Sequence, residues 1–286
     1  MKVELIESVD EFIEVTTAFR AADPLRTNVI GSVSLAVATG RSTYDDHRWW
    51  IVRDDSDEVV GVAMRTSPFN MIVAPMPVEA ARALGRNVGR FDDALPGLSG
   101  PRNMVDALVE GYVEGQSPGS TRVLTEERRD LLYELEELVT PEVEGVGRPA
   151  RAEEIDALAV MFTQFALDVG MAPSARRDAR DSVKESVNAR SLFCWEVDGD
   201  VVAIAGHAPV VTTGDTTIGR VGPVYTPSEF RRRGFGSAVT AHVTRQLIEK
   251  GARVMLFTDA ANPTSNSVYQ AIGYRLVDEQ VQTRFH

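Results

Sequence analysis

A single cysteine, Cys194, stands among 286 residues, which excludes an internal disulfide and a cysteine-built metal site. No metal is expected. The chain also lacks any run near the roughly 20 apolar residues of a membrane span. Its first residues, MKVELIESVDEF, carry acids where a secretory signal needs an unbroken apolar stretch. A cytoplasmic location away from membranes is therefore expected. Positive charge is scarce as well: 30 Lys and Arg face 42 Asp and Glu, for a net charge of −12. Nucleic acid is not an expected partner, because backbone binding needs a broad basic surface. What is present, 43% hydrophobic and 25% charged residues, is the composition of a globular protein long enough for two domains.

The charge is unevenly spread. Residues 1–146 hold 14 basic and 26 acidic side chains, whereas residues 147–286 hold 16 of each. Between the halves, VTPEVEGVGRP (139–149) breaks the patterning with prolines and glycines. The boundary is expected there to within about ten residues, giving domains 1–146 and 147–286, with a strand-to-strand crossing in one continuous sheet as the alternative reading. The halves share an order of elements. Two helix-like stretches precede a hairpin in each: DEFIEVTTAFRA and RTNVIGSVSLAVATG before RWWIVRDDSDEVVGVAMRT, then AEEIDALAVMFTQFALDV and ARRDARDSVKESVNAR before LFCWEVDGDVVAIAGHAPVV. Asp198-Gly199 is the hairpin-turn signal of the second. An internal duplication of one α+β unit is the expectation.

In the second half, TTIGRVGPVYTP reads as a strand ending near Thr226, and a helix is expected from about Gly234 to Lys250. Its apolar face holds Ala238, Val239, Val243, Leu247 and Ile248, with Gly251 as the stop. RVMLFTD reads as a buried strand, PTSNSVYQAIGY as a short helix, and RLVDEQVQTRF as one or two last strands. The turn entering the long helix, EFRRRGFGS, crowds three arginines onto a helix end that is already positive. With two glycines allowing tight dihedrals, such a turn suits an anion, phosphate above all. A glycine-rich turn with solvated arginines is the bland alternative. The pattern is neither a P-loop nor a dinucleotide fingerprint, which would need a third glycine at Val239.

The spacing Arg231, Gly234, Gly236, followed beyond a short strand by NPTSNSVYQAIGYRLV, resembles the GNAT acetyltransferase superfamily. The likeness covers residues 217–280 directly and extends back to about 148. It implies an α+β fold of two GNAT-like domains, each a mixed, mostly antiparallel sheet flanked by helices. It further implies acetyl-CoA as co-substrate. Its phosphates would meet Arg231, Arg232, Arg233, Gly234, Phe235, Gly236 and Ser237, and its pantetheine arm would run beside Val224, Tyr225 and Thr226. Asn262 and Asn266 match donor-holding positions, although Asn262 also fits simple loop chemistry before Pro263. Tyr269 matches a tyrosine aimed at the thioester sulfur. A phenol near pKa 10 stays protonated at neutral pH and can donate to a departing thiolate; a core aromatic is its plain reading. Tyr274 fits a core role.

For the base that takes the proton of an amine, His207 is the candidate by pKa, with Asp259, Glu196 and the carboxylate of His286 as others. A histidine satisfied within the sheet is the plain reading of His207. In the first half, Pro75-Met76-Pro77-Val78-Glu79 replaces the arginine–glycine turn. Proline offers no N–H and Glu79 would repel phosphate, so a degenerate, non-catalytic copy is expected there. Trp49, Trp50 and the acids Asp45, Asp46, Asp54, Asp55 and Asp57 are candidate acceptor-side groups, or core and solvated surface. The expected function is acetyl-CoA-dependent N-acetyl transfer to a primary amine, a small molecule by fold analogy. The alternatives are an acetyl-CoA sensor without catalysis and a protein acetyltransferase. The chain is expected to be a monomer or homodimer.

Overall fold

The computed structural model describes residues 1–91, 95–116, 122, 124–170 and 178–286. The first half runs β1 (Lys2–Ile6), α1 (Val9–Val15), α2 (Thr17–Ala22), α3 (Asn28–Ala38), β2 (His47–Arg53), β3 (Val59–Thr66), β4 (Met71–Val73), α4 (Val78–Phe91), β5 (Leu98–Pro101), α5 (Arg102–Gly115) and β6 (Leu124–Leu135). The second begins with β7 (Val146–Pro149), α6 (Ile155–Asp168), α7 (Ala179–Asn188), β8 (Leu192–Val197) and β9 (Asp200–His207). It ends with β10 (Val211–Thr213), β11 (Thr216–Tyr225), α8 (Phe235–Glu249), β12 (Arg253–Asp259), α9 (Pro263–Ala271) and β13 (Tyr274–Phe285). Apart from the small β10 in the second half and one additional helix before β2 in the first, the halves repeat one another in order.

They do not form separate sheets. The strands run β1-β2-β3-β4-β5-β13-β6-β12-β11-β9-β8-β7 in one continuous sheet, with β10 beside β11. The last strand of each half crosses to the other: β6 pairs with β12, β13 pairs with β5, and the two pair with each other from Tyr274↔Leu135 to Phe285↔Leu124. Only β4/β5 and β11/β12 are parallel. Each half is thus completed by the strand of its counterpart, which leaves no free sheet edge between them to aggregate or slip.

Local chemistry explains the second half's elements. Asp198 (φ 52) and Gly199 (φ 91) adopt the left-handed pair that a two-residue hairpin turn demands. Helix α8 stops where Gly251 takes φ 75. Its apolar stripe, Phe235, Val239, Val243 and Leu247, packs on Val221, Val254, Leu256 and Tyr133 of the sheet. Tyr274 is fully buried there and its hydroxyl pairs with Thr244 at 2.6 Å. The opposite face of β11–β12–β6 is roofed by the first half: Leu25 packs with Ile218, Met255 and Leu132, and Arg26 pairs with Asp278 of β13 at 2.5 Å. Trp49 and Trp50 are both buried, in different clusters on the two faces of β2. Both faces of this strand are covered, so neither tryptophan is left for a surface pocket.

Candidate functional site

Strands β11 and β12 run together and then part. Their register extends from Ile218↔Arg253 to Val221↔Leu256. Beyond that point β11 is paired only to β9, through Val224↔Ala205 and Tyr225↔Ile204, after an irregularity that contains the cis Gly222-Pro223 bond. Strand β12 continues to Asp259 against β6. Hence the β12-facing edge of residues 222–226 has no partner strand, and an extended ligand finds open backbone there.

The chain then makes one turn of 3₁₀ helix at Ser228–Phe230 and enters α8. Arg232 (φ 63) and Gly234 (φ 84) are both left-handed, and Gly234 is an N-cap with no side-chain acceptor. Helix bonding starts with Ala238 N–H donating to the Gly234 carbonyl. The amides of residues 232–237 find no acceptor among the described residues. Six successive unsatisfied N–H groups at a positive helix end form a site for an oxyanion. A side chain at Gly234 would sit 2.9 Å from Val143, and one at Gly236 would sit 3.2 Å from the Thr226 hydroxyl. The turn therefore excludes bulk as well as supplying donors.

The three arginines divide the work. Arg231 is bound locally: Nε donates to the Thr226 carbonyl at 2.9 Å, Nη2 meets Asp168 at 2.6 Å, and the guanidinium lies over Tyr225. Arg233 covers the Phe235 ring and pairs with Glu144 at 2.6 Å, with both partners exposed. Such an exposed pair is worth little and exchanges readily for a better anion. Arg232 is exposed and has no hydrogen bond or ion pair among the described residues.

Beside this turn, a cavity of about 370 Å³ separates α8 from α9, lined by Val139, Pro141, Ser237, Ser267, Val268, Ala271 and Ile272. Asn262 caps α9, accepting the Ser265 N–H at 3.0 Å ahead of Pro263, so its local role is complete. Asn266 donates to the Asp259 and Ala260 carbonyls at 3.2 and 3.4 Å, while its Oδ1 is buried without a partner. That orphaned acceptor fits a donor molecule bearing an N–H group. One turn further, burial pushes the Tyr269 phenol up to about 12. Its ring stands edge-on to Tyr274, and its hydroxyl has no hydrogen bond among the described residues.

His207 stands apart from this group. It pairs with Val221 on the α8-covered face, near Phe193; its Nδ1 is 2.8 Å from the Ala208 carbonyl, and burial lowers its pKa. Glu196 is held by Arg148 at 2.6 Å, and Asp259 accepts the Ala261 N–H at 2.8 Å. The linker carried no functional signal in sequence, yet it supplies Val139 and Pro141 to the cavity wall, Val143 to Gly234, and Glu144 to Arg233.

Residues 210–283 match the model of the FR47-like protein family. No curated protein matches the chain in sequence. Among solved structures, a GNAT-family acetyltransferase from Colwellia psychrerythraea aligns with a TM-score of 0.64 at 13% identity, covering 100% of both chains. A GCN5-related N-acetyltransferase from Sphaerobacter thermophilus aligns at 0.64 and 13%, covering 99% of this chain and 95% of its own. A tandem GNAT protein from the clavulanic acid biosynthesis pathway aligns at 0.61 and 13%, covering 99% and 98%. These likenesses establish the fold: the GNAT architecture, present twice in one chain.

Proposed function

We infer that this chain, built on the tandem GNAT fold, is an acyl-CoA-dependent N-acyltransferase that moves an acetyl group to a primary amine. The observation that carries this reading is the row of six unbonded amides at 232–237, set beside the α8–α9 cavity and the parted β11 and β12. Residues 147–286 form the donor-binding unit, and residues 1–146 are a copy that has lost the site and roofs the acceptor side. The acceptor is a small molecule, as the first half's cover over the sheet favours.

Acetyl-CoA, when bound, supplies an acyl group activated as a thioester. The residues of the turn hold its phosphates: the amides by direct donation, Arg232 as the unpaired cation, and Arg233 by exchange from Glu144. The free edge at Val224, Tyr225 and Thr226 and the unpartnered Asn266 Oδ1 orient its arm. Tyr269, whose phenol burial keeps protonated at neutral pH, donates a hydrogen bond or its proton to the leaving sulfur, while the amine's own proton passes to a base or to water. His207, with Nδ1 engaged at the Ala208 carbonyl and Nε2 buried without a partner, stays the candidate base for the amine proton.

Release of free CoA thiol with a panel of primary amines tests this reading. Amine-dependent release at or above roughly 1 s⁻¹, within the ordinary range of enzymes, is expected for at least one acceptor. Tight acetyl-CoA binding with no amine-dependent release would contradict catalysis.

A further inference from the structure

Arg220 of β11 is the group that donor binding leaves unexplained. It is in register with Met255, on the face away from α8, two residues before β11 leaves β12 at Gly222. Its side chain reaches into the first half. Nε donates to Asn28 Oδ1 at 3.2 Å and Nη2 to Ser32 Oγ at 3.1 Å, both on α3. No carboxylate pairs with it among the described residues, in a chain with 42 acids. Desolvation lowers its pKa to about 10, yet the residue keeps partial contact with solvent. Its neighbour repeats the pattern: Asn28 is 2% exposed, and its Nδ2 donor is buried without a partner. A desolvated cation and an unused amide donor, side by side, are costly unless an anion completes them.

We propose that Arg220 and Asn28 form an anion subsite on the acceptor side of the parted strands, and that the acceptor is an amine bearing a carboxylate. This rests on the N-acyltransferase reading and names the substrate class for it. Neither the Arg220 Nη1 nor the Asn28 Nδ2 has a hydrogen bond among the described residues, and a carboxylate is the group that would complete them. The first half thereby takes part in acceptor binding, because its helix α3 delivers Asn28, half of the subsite.

The test uses the full chain and amine pairs that differ by one carboxylate: ornithine and putrescine, histidine and histamine, tyrosine and tyramine. Calorimetry in the presence of CoA reads their binding, and turnover with acetyl-CoA is read in parallel. At least one carboxylate member is expected to bind about tenfold or more tightly than its partner, and Arg220→Gln is expected to shrink that gap to about twofold. Asn28→Asp guards against a folding artefact. It sets a carboxylate on the guanidinium, so it is expected to raise Tm while erasing the carboxylate preference. If Arg220 merely bolts the halves together, Tm rises and the preference survives. Survival of the preference in either variant, or no preference in the wild-type protein, overturns the proposal. Acetyl-CoA titration of the same samples reads the donor site separately, so its loss contradicts the donor reading without altering the anion measurement.

Discussion

Helices α4 and α5 of the first half occupy the places that α8 and α9 hold in the second, and they meet in a different way. Four glycines bring α4 and α5 into backbone contact. A Cβ at Gly85 would lie 2.0 Å from the Leu108 oxygen, at Gly89 2.3 Å from that of Tyr112, at Gly111 2.0 Å from that of Arg82, and at Gly115 2.4 Å from that of Arg86. Arg82 with Glu110 and Arg86 with Glu114 clamp the outside. Between α8 and α9 the same space is a cavity. The entrances differ in parallel. Pro77 immediately precedes α4, its carbonyl takes the Ala80 and Ala81 amides, and Glu79 stands in the first turn. One copy gives this region over to packing and the other leaves a cavity there.

Gly234→Glu would erase the difference between the two entrances, since it puts a carboxylate and a strained left-handed side chain into the phosphate turn. Acetyl-CoA affinity is expected to fall about 1,000-fold or more by calorimetry; near wild-type affinity would sink the assignment. Gly111→Leu attacks the other copy. It is expected to cost about 3 kcal/mol or more of stability in chemical denaturation, with donor affinity of the folded protein unchanged. Tyr269→Phe should lower turnover about tenfold to a hundredfold at constant donor affinity, with the chemical step isolated by single-turnover kinetics.

The same substitution has a pH signature. Tyr269 holds its proton more tightly folded (about 12) than at its ordinary value of 10.0. Its contribution to stability is complete below pH 10 and disappears as pH rises through the folded value. Tyr269→Phe removes that alkaline slope from the denaturation profile. The smallest effects separate the arginines. Arg232→Ala should weaken donor binding about tenfold and flatten its salt dependence, whereas Arg233→Ala should cost about twofold to threefold, because Glu144 already shares that charge.

Much of the second half was legible in the sequence because its signals are local. Strand RVMLFTD is β12 from end to end, Asp198-Gly199 makes its hairpin, and Gly234 and Gly251 bracket α8. A crossing within one continuous sheet is among the readings of the linker, but which strands exchange was not legible. β6 is LTEERRDLLYEL, a run of good helix formers, and it becomes a strand only through pairing with β12 and β13. β13 reads as one or two terminal strands, and nothing within it says that it pairs with β5 across the halves. The linker's role as cavity wall and the union of Arg220 with Asn28 likewise depend on contacts between residues far apart in sequence, which local patterning does not encode.

Hydrogen exchange with and without saturating acetyl-CoA reads the anion turn itself, amide by amide. New protection is expected at the amides of residues 232–237 and none at Val78 and Glu79, where α4 begins. Unchanged exchange at 232–237 in the bound protein, or equal protection at both helix entrances, would contradict a donor site confined to the second copy.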